Sequence, residues 1–177
     1  MIKIFTKTIT TMLFFILFSS SILNALSVEE IIKENVEHSL IVEKTKIILS
    51  KKALIRVKKL AKVAVKTRLY RLYKVKKHHK IVGYGILISR KVRSKKATVL
   101  YYINTKGILR FTEILAFKEP PEYKPSKKWM TQFRKTTKAS VFKLGKDIPT
   151  ISGATLSARN VAQGARIAKA IVEVKFK

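Results

Sequence analysis

From Thr67 to Phe117 the apolar residues of this chain recur at a period of two, in runs divided by short polar turns. That spacing belongs to strands, and it fixes the centre of the fold. Leu69, Tyr73 and Val75 lead into the polar turn 76–80, Lys-Lys-His-His-Lys, and the run 81–92, IVGYGILISRKV, reads as a buried strand. A third strand is expected over 97–103. Asn104, Thr105, Lys106 and Gly107 then make a hairpin turn in which Gly107 supplies a positive φ, and 108–117 is the fourth strand. The expected centre is an antiparallel meander.

The flanks have helical spacing. Ser27 and Glu30 have the spacing of a capping box, with a short helix expected to about Val36. Residues 40–49, with Ile41, Val42, Ile47 and Ile48, read as a strand or strand end. Ser50 then caps a second helix reaching about Lys66, with Ala53, Leu54, Val57, Leu60, Ala61, Val63 and Ala64 on one face. Lys51, Lys52, Arg56, Lys58, Lys59 and Lys62 occupy the other face, so this is an amphipathic basic helix. Pro120, Pro121 and Pro125 end the strands, and 126–134 is expected to be a short helix carrying Trp129 and Phe133. After a loop with Gly145, Asp147 and Pro149, a last helix over 158–174 aligns Val161, Ala165, Ala168, Ile171 and Val172. The order helix, helix, four strands, short helix, long helix predicts an α+β fold in one domain over 28–177.

The first 27 residues have a different character. Lys3 and Lys7 precede an apolar stretch over 12–18, Ser19, Ser20 and Ser21 interrupt it, and small residues follow up to Ser27. Those are the regions of a secretory signal, and the apolar run is short for a span of about 20 residues. The reading is a signal peptide over 1–27, giving in a bacterium a protein of the periplasm or of the outer face of the inner membrane.

The chain has 39 Lys and Arg against 10 Asp and Glu, a formal charge of +29, of which Lys3 and Lys7 supply little. It has no cysteine, which excludes disulfides, iron–sulfur ligation, thiolate zinc sites and CxxCH haem attachment. Any redox chemistry must use a cofactor held without thiols.

One segment has the chemistry of a ligand site. Ile151, Ser152, Gly153, Ala154, Thr155, Leu156 and Ser157 stand between a turn-rich loop and the last helix. Small residues let backbone N–H groups approach a ligand closely, and a helix N-terminus favours negative charge, so the junction suits a phosphate. An ordinary Ser or Thr N-cap would leave the same local pattern.

SGATLS resembles the attachment motif [ST]-G-A-T-x-[ST] of the FMN-binding domain found in the C and G subunits of sodium-pumping and Rnf-type oxidoreductases and in small exported FMN-binding proteins. VGYG at 82–85, ILAFKEPPEY at 114–123, KWMTQF at 128–133 and LGKDIPTISGATLSARNV at 144–161 extend the likeness over most of the chain from residue 82. The resemblance implies covalent FMN on Thr155, attached by a flavin transferase that consumes FAD. It also implies a cofactor site including Ser152, Gly153, Ala154, Ser157, Glu119 and Trp129, and a role as an electron carrier between redox partner proteins. Pro149 stands where many members have Asp, with Asp147 two positions earlier. KEPP at 118–121 replaces an HxETPG-type loop, keeping Glu119 and Pro121.

Other residues offer less. His78 and His79 read as a solvated turn, and Glu113 and Glu119, which lack the spacing of an acid–base pair, as surface-pairing acids. Phe117, Trp129 and Phe133 suit either core or a flavin ring, and Arg159, Lys143 and Lys146 would make the flavin's surroundings positive. From Lys44 to Thr112 there is no acid, and basic residues interleave with tyrosines, a composition shared with nucleic-acid binders. An export signal argues against that partner. The alternative function is a basic exported adaptor without cofactor, bound to an anionic membrane surface or polymer through the helix from Ser50.

Overall fold

The computed structural model describes residues 26–177, so residues 1–25 of the expected signal lie outside the description. The fold is α+β. Helix α1 (Val28–Asn35) opens with the capping box: the Glu30 N–H donates to Ser27 Oγ, and the Ser27 N–H donates to the Glu30 carboxylate at 2.6 Å. There follow β1 (Ile41–Ile48), α2 (Lys51–Ala61), β2 (Leu69–Lys77), β3 (Lys80–Lys91), β4 (Lys96–Asn104) and β5 (Leu109–Phe117). After 3-10 turns at Pro121–Tyr123 and Thr131–Lys135, which flank the four-residue α3 (Lys127–Met130), the chain ends in α4 (Thr155–Phe176).

The five strands form one antiparallel sheet in sequence order, a meander with β1 and β5 at the edges. The expected four-strand centre thus gains a fifth strand, because 41–48 pairs with β2 along its whole length instead of ending as a fragment. Alternation works on both faces. Leu72, Ile86, Val99, Tyr101 and Ile103 pack beneath α4, where Val161, Ala165, Ala168 and Ile171 are buried. Tyr73, Val75, Leu87, Leu100, Tyr102 and Phe111 point the other way, beneath Ile32 of α1 and Leu40. Burying side chains of this size contributes about 1.5 to 3 kcal/mol each, so the doubly covered β3 and β4 anchor the domain.

Two glycines admit tyrosines. The buried Tyr101 hydroxyl donates to the Val161 carbonyl of α4 at 2.9 Å, and a Cβ at Gly164 would lie 2.1 Å from that oxygen. A Cβ at Gly83 would lie 2.5 Å from the Tyr102 hydroxyl. Burial pushes the Tyr101 phenol far above its ordinary range, so it stays a neutral donor.

Two helix boundaries differ from expectation. α2 stops at Ala61 because Lys62 adopts φ +49, a left-handed cap, and Val63 and Ala64 lie outside the helix. α4 begins at Thr155, three residues earlier than the apolar spacing indicates, since the first turn is set by the preceding glycine turn. His78 and His79, both exposed and both at positive φ, form the two-residue β2–β3 hairpin turn. Among the described residues, no helix is long and apolar enough to cross a membrane.

Candidate functional site

The site lies where the N-terminus of α4 meets the β3–β4 turn. Two contacts draw them together: Asn160 Nδ2 of α4 donates to the Lys91 carbonyl at 2.8 Å, and Arg90 Nη2 of β3 donates to Gln163 Oε1 at 2.6 Å. Between them opens a cleft of about 440 Å³, lined by Val92, Arg93, Glu119, Tyr123 and the run from Gly153 to Ser157. That size falls within the roughly 300–1,000 Å³ of small-molecule sites.

The motif builds one wall. The Ala154 N–H donates to the Ile151 carbonyl at 3.2 Å, closing a turn whose third residue, Gly153, has φ +74. A Cβ there would meet nothing within 4 Å, so the dihedral angle, not crowding, requires glycine. Ala154 is the N-cap and offers no side-chain bond; the first α-helical bond runs from the Ala158 N–H to the Ala154 carbonyl at 3.1 Å. The ordinary Ser or Thr cap is therefore absent, and the amides of the first turn lack a side-chain acceptor. Thr155 is exposed at the first helical position, its hydroxyl donating to the Ile151 carbonyl at 3.2 Å. Ser157 is only 2% exposed yet lines the cleft.

Glu119 builds the opposite wall, in a role other than the surface pairing expected for it. It is 6% exposed, and its Oε1 accepts the N–H groups of Lys95 at 2.6 Å, Ser94 at 2.7 Å and Arg93 at 2.9 Å, while the Ser94 hydroxyl donates to Oε2 at 3.2 Å. The Lys95 N–H above all, with those of Arg93 and Ser94, holds its carboxyl below the usual range against the opposing effect of burial. Glu119 is thus a clamp on the β3–β4 turn. That clamp orients Arg93, whose guanidinium lies over the Tyr123 ring at 5.5 Å.

The remaining expected site residues are dispersed. Ser152 is exposed in the turn before α4 but is not among the cleft-lining residues. Trp129 lies outside the cleft: its Nε1–H donates to the Pro149 carbonyl at 3.0 Å and its ring meets Phe133 edge-on. It fastens the loop that leads into the motif. Phe133 is core and Phe117 packs against the core. Lys143 and Arg159 line a different cavity, and Asp147 accepts the backbone N–H groups of Val141 and Lys143, away from the motif. The cation beside the motif is Arg93, which sequence reasoning missed. Its one signal was the pairing of a basic turn with an acid 24 to 26 residues further on, which no local pattern reveals.

No protein family matches this chain, and no curated protein or solved structure is similar to it.

Proposed function

We propose that the protein is an exported flavoprotein that carries one FMN on Thr155 and passes electrons between larger redox proteins. The observation that carries the reading is the setting of Thr155: an exposed hydroxyl at the first position of an uncapped 22-residue helix, on a cleft of ligand size. A phosphate esterified there meets the helix N-terminus, which stabilises its charge by about 0.3 to 1 kcal/mol, up to roughly 2 if partly buried.

Attachment is a phosphoryl exchange with FAD as co-substrate of a flavin transferase. The Thr155 oxygen bonds to the FMN-side phosphorus, the pyrophosphate linkage breaks, AMP leaves and the hydroxyl proton is released; no electrons move. Once held, a flavin supplies one- and two-electron chemistry, and a covalent tether prevents its loss outside the cytoplasm. Tyr123 offers the ring an aromatic neighbour, and Arg93 favours its anionic reduced forms. The proposed location is the periplasm or the outer face of the inner membrane.

The adaptor reading has one observation in its favour. On α2, Ile55 is 66% exposed on a face bearing Lys51, Lys52, Arg56, Lys58 and Lys59, a surface suited to anionic lipid. The two readings separate in one experiment. Protein exported in the presence of a flavin transferase should be yellow after denaturing purification; a colourless protein that binds anionic but not neutral vesicles favours the adaptor.

A further inference from the structure

We propose that a groove along the flank of α4 binds a free amphiphilic carboxylate, its head on Arg166 and its chain against Leu60, Val141 and Phe142. This groove shares no lining residue with the cleft at Thr155, and the inference does not depend on the flavin reading.

The groove is larger than that cleft, about 620 Å³, and lies between the end of α2 at Leu60 to Lys62, the 140–143 segment and α4 from Arg166 to Glu173. A cavity of about 190 Å³ continues it along α4 and shares Phe142, Lys143 and Arg166 with it. The head is indicated by an uncompensated charge. Arg166 Nε is buried without a hydrogen-bond partner, although a charged group is costly to bury unpaired. Gln163, which lines the second cavity beside Arg166, gives its Oε1 to Arg90 instead. Arg90 has a buried, unpaired Nε of its own, and its guanidinium and that of Arg166 repel each other. Neither guanidinium has an ion-pair partner among the described residues, so the two charges add. Glu173, the one carboxylate on the lining, acts on Lys169, and the Lys169 ammonium is already committed to the carbonyls of Lys138 and Ser140. Lys169 therefore holds the 138–142 wall in place, and Arg166 is the cation left for a ligand. A planar guanidinium matches the two oxygens of one carboxylate.

The chain is indicated by the rest of the lining. Leu60 and Val141 are 46% and 54% exposed on this groove, and Phe142 is buried beside them. An apolar wall with one convergent charge is the usual build of a small-molecule site.

The test is titration calorimetry of the chain with octanoate, acetate and octanol. Octanoate should bind, and acetate and octanol should each bind at least about tenfold more weakly, since neither offers both head and chain. Arg166→Gln should weaken octanoate by about tenfold or more, the loss expected of a charge-assisted hydrogen bond. In the absence of ligand it should also raise the thermal midpoint, because it removes a buried charge that nothing neutralises; a purely structural guanidinium would give the opposite. Arg71→Gln, which removes the same charge from an exposed position on β2, should leave octanoate binding unchanged. Val141→Ser, at an exposed position, should weaken octanoate and not acetate, and it decides the matter if Arg166→Gln does not fold. Octanoate binding that is absent from wild type, or equal in wild type and Arg166→Gln, overturns the proposal. Binding to phosphatidylglycerol vesicles that depends on Arg166, without octanoate binding, gives the groove to membrane lipid and also overturns it.

Discussion

At the scale of single residues, the fold depends on a few close approaches that composition does not reveal. Gly164 exists for Tyr101: a methyl group 2.1 Å from the phenol oxygen forces either the ring or α4 to move. Ala normally improves a helix by up to about 1 kcal/mol over Gly, whereas overpacking costs about 1 to 3 kcal/mol. Gly164→Ala should therefore lower the denaturation midpoint, and a stabilised variant would show that the tyrosine does not pack as described. Glu119 makes a second prediction at this scale. Its folded-state pKa lies below the ordinary 4.5, so its contribution is present above that value and is lost as pH falls through the folded value. Glu119→Gln should lower the thermal midpoint at pH 7, with the gap from wild type closing as the pH drops below the ordinary 4.5 and through the lower folded value. A gap independent of pH would mean that shape and not charge holds the 93–95 turn.

At the scale of elements, most of the order was legible because periodicity and caps are local signals. The strands over 81–92 and 97–103, the Gly107 turn and the Ser27 box all depend on residues a few positions apart. The end of α2 was hidden because a lysine, not a glycine, takes the left-handed cap. The start of α4 was hidden because alanine is its N-cap, a residue that gives no sequence signal. The motif wall of the cleft was legible in the glycine and the hydroxyls of 152–157. The other wall was not, because Glu119 meets the β3–β4 turn only once β5 is paired with β4, with Phe117 opposite Ala97. The β2–β3 hairpin gives a third prediction. His78 and His79 take φ of +46 and +63, which suits Asn-Gly, and a left-handed residue other than glycine costs about 1 to 2 kcal/mol. His78→Asn with His79→Gly should raise stability by about 1 kcal/mol in urea unfolding. No gain would mean that contacts of the histidines compensate. Trp129→Phe keeps the ring against Phe133 but frees the Pro149 carbonyl, and should cost about 1 kcal/mol. Because the ring lies outside the cleft, flavin labelling of that variant should persist; complete loss of label would mean that the 149–154 loop needs this bond to present Thr155.

At the scale of the whole molecule, charge is the dominant property. A chain of +29 with two ion pairs among the described residues, Lys76–Glu43 and Lys77–Glu37, repels itself more than it pairs. Raising salt from 10 to 100 mM shortens the screening length from about 30 to about 10 Å, so the thermal midpoint should rise over that interval. A midpoint that falls would mean that ion pairs outweigh repulsion. Under the proposed function the same surplus would steer acidic redox partners, and any binding to generic DNA should be weak and vanish with salt. The account rests above all on Thr155, and the intact mass of protein exported with a flavin transferase tests it most directly. The predicted result is a gain of one FMN in wild type, absent from Thr155→Ala and Thr155→Val, partly kept in Thr155→Ser, and kept in Ser157→Ala. Wild type of unmodified mass, or a label that survives in Thr155→Ala, would contradict it.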